Sequence, residues 1–291
     1  MTWDWLQALE NAIVNQWERE GKAPEAFPEI CQQALTSVSL PMDRDTFLRE
    51  LLHLDYPTQG YHPRNEFGDV AVTMARNPDF RIDAYMWNGG RDTSIHDHHF
   101  MGAYRPIFGR SRELSFTFEP QCNIDKVLTQ GQLTHRETLL LEIGEARAIP
   151  LGEALIHLVE HVDTPTITIC VRTYDVPGHQ LQQYFFPGYR LAYGQFRVTS
   201  QKKLNLLHVM SQAQLPDGEL QIEPVLEALT PSECFALFTQ SHIYITRFQS
   251  SFKDRLSRAV REHVMRFYPA WLFVPLQNQS TINDLISLDK L

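Results

Sequence analysis

Apolar side chains in the first twenty positions recur at helical spacing, with Trp5, Leu6, Leu9, Ile13 and Trp17 on one face. A second helix is expected after Pro28 and a third from about Asp43 to His53, with Asp43 as its N-cap. From about residue 66 the period shortens to two. Phe80, Ile82, Ala84 and Met86 alternate with Arg81, Asp83 and Tyr85, and ELSFTFEP, ETLLLEIG and PTITICVRTY are similar short β-branched or aromatic runs. Turn residues punctuate them at Asn88-Gly89-Gly90, Gly109, Pro120, Gly131, Gly144 and Pro177-Gly178. Many short strands at this spacing predict a sandwich or a barrel. After about residue 200 helical texture returns in KKLNLLHVMSQ, ELQIEPVLEAL, SECFALFTQ and SFKDRLSRAVREHVMRFY, and Pro231-Ser232-Glu233 reads as a helix start. The order helices, strands, helices predicts a mainly β protein with flanking helices. Residues 1–58 form an N-terminal helical cover, 59–198 a β-barrel and 199–291 a C-terminal helical module.

Composition narrows the function classes. The chain has 291 residues, 43% hydrophobic and 21% charged, which is ordinary for a globular protein. Its formal net charge of -9 argues against a sequence-independent nucleic-acid binder but leaves room for a small anionic ligand held by one arginine. No apolar stretch reaches the roughly 18–20 residues that span a bilayer. The N-terminus lacks a basic start, an apolar run and a small-residue cleavage site, so a cytoplasmic location and no membrane partner are expected. Cys31, Cys122, Cys170 and Cys234 lie far apart with no CxxC spacing, and read as reduced core thiols.

The stretch that carries chemistry is His96-Asp97-His98-His99. On a strand, alternate side chains share a face, so His96 and His98 point together while Asp97 and His99 point away. Two imidazoles so placed can share one metal ion, with a third ligand from another strand; neutral imidazole accepts Fe, Zn, Cu or Ni. Taken alone, H-x-H-H is as compatible with ordinary hydrogen-bonded histidines as with a metal site.

The surrounding residues resemble the first motif of the cupin superfamily, a glycine, five residues, His-x-His, an acid and a closing glycine. Gly90, His96, His98 and Gly109 fall in register, while the acid slot falls on Gly102 or Ala103. Gly144, Pro150, Gly152 and His157 resemble the second motif, in which His157 is the remaining ligand. The resemblance covers about residues 60–180. It implies a double-stranded β-helix, or jelly-roll, barrel with metal ligands His96, His98 and His157 and no carboxylate ligand.

Within cupins, Thr93–His98, Trp87 upstream and Leu155–Glu160 are similar to the cysteine dioxygenase family of thiol dioxygenases. Tyr61-His62-Pro63-Arg64-Asn65 resembles the segment whose arginine grips the substrate carboxylate. This resemblance implies a mononuclear non-haem Fe(II) dioxygenase that oxidises the thiol of a small carboxylate-bearing substrate with O2, with homodimer formation common among such barrels. Spacing alone does not choose iron over Zn, Ni, Mn or Cu. The chain also departs from the family. Ala103 stands where animal enzymes form a Cys–Tyr cross-link, and Thr168, Cys170 and Arg172 stand where the family carries a Ser-x-His-x-Tyr relay. Tyr174 could supply a phenol and His161 a proton donor, and Arg172 could instead bind an anionic group of the substrate. Phe100, Met101 and Trp87 are candidate apolar walls. The alternatives are another metal-dependent cupin enzyme acting on a non-thiol metabolite, and a non-catalytic metal- or ligand-binding cupin.

Overall fold

A computed structural model describes residues 3–40, 43–53, 70–88, 93–192, 196–214, 220–240, 245, 248, 250–268 and 270–271. The chain divides into two compact units, Met1–Thr117 with His135–Leu181, and Phe118–Thr134 with Gln182–Leu291.

The first unit opens with α1 (Asp4–Arg19), α2 (Phe27–Ser37) and α3 (Arg44–Leu52). Asp43 caps α3 as its sequence predicts, its carboxylate accepting from the Thr46 amide at 3.1 Å. The strands follow as β1 (Val70–Arg76), β2 (Phe80–Trp87), β3 (Gly102–Phe108), β4 (Ser111–Asn123), β5 (Leu128–Leu141), β6 (Arg147–Ile149), β7 (Ile156–His161) and β8 (Thr166–Thr173). One antiparallel sheet has the order β1-β2-β8-β3-β6. In the other, β7 pairs with β4 and β4 lies next to β5. His96, outside any named strand, forms a bridge with His157 and so adds a further edge to β7. The two rows, β2-β8-β3-β6 and His96 segment-β7-β4-β5, have the strand order of a jelly roll, the cupin-type double-stranded β-helix.

The two faces of the first sheet differ in a way that decides where chemistry can sit. Phe80, Ile82 and Ala84 of β2, Ala103 of β3 and Ile167, Ile169 and Val171 of β8 pack with Leu9, Ile13, Phe27, Leu35 and Phe47 of the helices in one buried cluster. Each fully buried aliphatic side chain there contributes about 1.5–3 kcal/mol of hydrophobic stabilisation. The opposite face, toward the second sheet, carries Arg81, Asp83 and Tyr85, and their cross-strand partners Arg172, Cys170 and Thr168. The helices cover what would otherwise be the wet side of the barrel wall, so the polar positions of β2 are interior. Gly102 is needed at one crossing of this wall, because a Cβ there would fall inside contact distance of the Val171 carbonyl oxygen.

In the second unit, β9 (Gln182–Phe185) and β10 (Tyr189–Ala192) pair with each other, and β10 pairs with Leu128–Gln130 of β5. The helices α4 (Val198–Gln212), α5 (Ile222–Glu227), α6 (Pro231–Thr239) and α7 (Ser250–Phe267) follow. Leu204, Leu207, Leu226, Phe235, Leu256 and Val264 share their own buried cluster with Leu128, Phe185 and Leu191. The predicted start of α6 is a capping box: the Thr230 hydroxyl accepts from the Glu233 amide, and Glu233 accepts from the Thr230 amide at 2.8 Å. No helix among the described residues is long and apolar enough to cross a membrane.

Candidate metal centre

Backbone pairing places the histidines. His96 and His157 exchange both backbone hydrogen bonds at 2.9 Å, so they are directly opposed and their side chains share a face. Thr93 donates its amide to the Val159 carbonyl at 3.0 Å, which continues the same pairing. His98 is pinned by its carbonyl, which accepts from the Gly152 amide at 2.8 Å. Gly152 has φ +63°, a conformation that favours glycine, so this residue of the second motif holds a candidate ligand of the first.

The three rings form a near-equilateral triangle. Centroid separations are 4.9 Å for His96–His98, 4.9 Å for His96–His157 and 4.8 Å for His98–His157. All three residues are buried, and one nitrogen from each lies within 4.8 Å of the others. Among the described residues this is the one group of three or more His, Cys, Asp or Glu side chains arranged to hold a metal ion. Burial and the neighbouring His157 push the His96 imidazolium down to about 3, and burial lowers His98 likewise. Both are therefore neutral near pH 7, the form that ligates metal.

The tautomers are set from outside the triangle. His96 Nδ1 donates to the Ser94 carbonyl at 2.7 Å and His157 Nδ1 to Glu113 Oε2 at 2.8 Å, which leaves each Nε2 as a lone-pair donor. His98 Nδ1 is buried with no hydrogen-bond partner among the described residues. An orphaned buried imidazole nitrogen is costly in a protein interior and is relieved by ligation, so the donor set fits a divalent transition metal.

Glu113 is the functional residue that the sequence does not reveal. It is 1% exposed. Tyr104 donates its hydroxyl to Glu113 Oε2 at 2.9 Å and Arg147 Nε donates to Oε1 at 2.8 Å. Burial pushes its carboxyl up, but the hydrogen bond from His157 and the charge of Arg147 outweigh it and hold the group below the usual carboxylate range. Burial raises the Tyr104 phenol, which stays a donor. In sequence Glu113 is one polar position in an alternating strand. Its signal is its parity with Ser111 and Ser115, all three buried on β4 opposite His161, Val159 and His157.

The other sequence candidates separate. Arg64 lies outside the described residues. Phe100 does wall the site, its ring edge-on to His98 at 5.0 Å. Met101 packs instead with the cluster shared by the helices, on the far side of the sheet. His161 is not one of the triangle: its ring stacks on Trp87 at 4.1 Å and its Nδ1 meets Ser111 Oγ at 3.1 Å. Tyr174 is 39% exposed and donates its hydroxyl to the Asn77 carbonyl at 2.9 Å, at the β1–β2 turn. Two residues after Arg172, it would share that residue's face on a continuing strand, but β8 ends at Thr173. Cys170 does face the interior, in the cluster with Phe100, Tyr104 and Val159, but burial pushes its thiol up to about 12 and it stays protonated. Arg172 lies over the Phe100 ring, its guanidinium carbon 3.6 Å from the centroid.

No protein-family model matches the sequence, and no curated protein matches it. Solved structures give local likenesses. A structure of DMSP lyases is 19% identical, covering 37% of this chain and 45% of that one, with a TM-score of 0.25. Hydroquinone 1,2-dioxygenase from Sphingomonas sp. TTNP3 is 11% identical over 38% of this chain and 68% of that one, with a TM-score of 0.29. A cupin superfamily protein from Desulfitobacterium hafniense DCB-2 is 13% identical over 42% and 93%, with a TM-score of 0.26. This chain therefore spans less than half of the lyase chain and most of the Desulfitobacterium one. Likenesses this distant decide neither family nor chemistry; the jelly-roll assignment stands on the strand pairing.

Proposed function

We propose that this protein is a mononuclear metal-dependent cupin enzyme, with Fe(II) held by His96, His98 and His157, that uses O2 to oxidise the thiol of a small carboxylate-bearing substrate. The observation that carries the reading is the buried triangle of three imidazoles, two of them neutral by burial and two anchored through Nδ1 from outside the triangle. A three-histidine set without a carboxylate leaves positions open for two further ligands. When bound, divalent iron supplies the redox chemistry that joins a thiol to dioxygen, with the net conversion of RSH and O2 to RSO2H.

The chain's own residues do the rest. Ser94 and Glu113 orient two of the imidazoles through Nδ1. Phe100, Leu141, Ile149 and Val159 line the interior with apolar surface and exclude water. Tyr104 and Arg147 hold the Glu113 carboxylate in its ionised form. Arg172, on the same face as Cys170, offers a cation for a substrate carboxylate, with Arg64 as the further candidate.

One observation favours a second reading, the same metal centre acting on a non-thiol metabolite. Cys170 is a neutral thiol and the Tyr174 hydroxyl is committed to Asn77, so neither residue supplies the imidazole or the phenol of the family's relay. Oxygen uptake with Fe(II)-loaded protein separates the two. Consumption of O2 with cysteine or 3-mercaptopropionate, one O2 per thiol, supports thiol dioxygenation. Thiol loss without O2 uptake sinks it.

A further inference from the structure

Arg81 of β2 and Arg172 of β8 are directly opposed partners on the interior face of the first sheet. Like charges at opposed positions repel, so each needs an anion nearby. Arg81 has a buried one. Its Nε is 2.9 Å from Asp83 Oδ2, an ion-pair contact without hydrogen-bond geometry, and that carboxylate, 3% exposed, accepts from the Thr73 hydroxyl at 2.8 Å and from the Tyr85 hydroxyl at 3.2 Å.

The anion on Arg172 is of another kind. Asp175, three residues on and just past the end of β8, has a side chain 66% exposed. Its Oδ1 takes Arg172 Nη2 at 2.9 Å and also His99 Nε2 at 3.0 Å. Arg172 Nε meanwhile is buried with no hydrogen-bond partner among the described residues. Asp175 thus uses one of the two parallel N–H donors on that edge of the guanidinium. An untethered carboxylate is free to take Nε and Nη2 together, the two-point geometry in which arginine binds carboxylates best. Phe100 joins this guanidinium to the metal centre, lying 3.6 Å beneath Arg172 and edge-on to His98 at 5.0 Å.

We propose that Arg172 is the anchor of a carboxylate site and that Asp175 is its resident occupant, displaced when a small carboxylate binds. The proposal rests on the reading of the barrel as a site for a small carboxylate-bearing molecule, and adds to it an internal competitor that sets the affinity. It identifies the binding edge as Nε with Nη2 of Arg172, and the selected ligand as a short carboxylate that takes the place of the Asp175 carboxylate.

The test uses the full-length, metal-free protein, titrated calorimetrically with propionate and with neutral propionamide. Wild type is expected to bind propionate and not propionamide. Asp175→Asn is expected to bind propionate about five-fold more tightly, the size of effect when an exposed ion pair no longer competes for the site. Arg172→Gln is expected to abolish binding, and the double variant to bind no better than Arg172→Gln. If Arg172→Gln does not fold, Asp175→Asn carries the test, because its side chain is exposed and its loss leaves the interior intact. Unchanged or weaker propionate binding in Asp175→Asn, or wild-type binding in Arg172→Gln, overturns the proposal. Metal content, measured separately on the same preparations, keeps the two ideas apart: propionate binding without metal binding removes the enzyme reading and leaves the carboxylate site standing.

Discussion

Removing Glu113 tests the centre through a residue that does not itself reach the metal position. Its carboxylate accepts from His157 Nδ1, the Tyr104 hydroxyl and Arg147 Nε, all within 2.8–2.9 Å. In Glu113→Gln the amide oxygen still serves His157 and Tyr104, while the amide nitrogen faces Arg147. Arg147 is 29% exposed and can turn to water or to Glu137, which lies 3.5 Å away. His157 then keeps its orientation but loses a charged acceptor, and metal affinity should fall about 10-fold. In Glu113→Ala the ring is no longer held, and the fall should approach 100-fold, about 2.7 kcal/mol, at the upper end for loss of such an outer carboxylate. The alanine variant should also lose about 1–3 kcal/mol of folding stability in the metal-free protein, because buried donors lose their acceptor. Affinity is read by competing Co(II) or Zn(II) against a chromophoric chelator, and stability by urea denaturation. Wild-type affinity in both variants would refute the claim that Glu113 orients His157.

Other perturbations probe the frame. Gly102→Ala should destabilise the first unit by several kcal/mol or prevent folding, since its Cβ collides with backbone rather than with a movable side chain; circular dichroism and solubility read this out. Asp43→Ala should cost about 1 kcal/mol, the usual value of an N-cap, with metal binding unchanged. In the second unit, burial raises the Glu233 carboxyl, but hydrogen bonds from Arg197 and the Thr230 amide outweigh it and hold it down to about 2. A depressed acid stabilises the fold above its ordinary value near 4.5 and loses that contribution as pH falls toward 2. The stability gap between wild type and Glu233→Gln should therefore be full at pH 6 and shrink between pH 4.5 and 2; a gap independent of pH would refute it.

The clustering of the three histidines and much of the frame were legible in the sequence, because those features are local. His96 and His98 are set by a two-residue spacing, Gly152 by a left-handed turn, and Asp43 and Thr230 by capping chemistry, each legible within a few residues. What escaped depends on which elements meet. The alternation in β2 separates Arg81, Asp83 and Tyr85 from Phe80, Ile82 and Ala84, but alternation alone does not say which face is covered. Here α1–α3 cover the apolar face, and the polar one lines the barrel interior. Glu113 was hidden for the same reason, since an interior glutamate and a surface glutamate look alike in an alternating strand. Tyr174 was misplaced because counting by twos continued past the last residue of β8.

Whether His96, His98 and His157 hold one metal ion is open to direct measurement. Elemental analysis of protein purified without added metal, and again after anaerobic loading with Fe(II), tests it beside His157→Ala treated identically. About one transition-metal ion per chain is expected in the wild type after loading, and near-complete loss in the variant, for removal of one of three ligands. No bound metal in the loaded wild type, or equal metal in the variant, would contradict it.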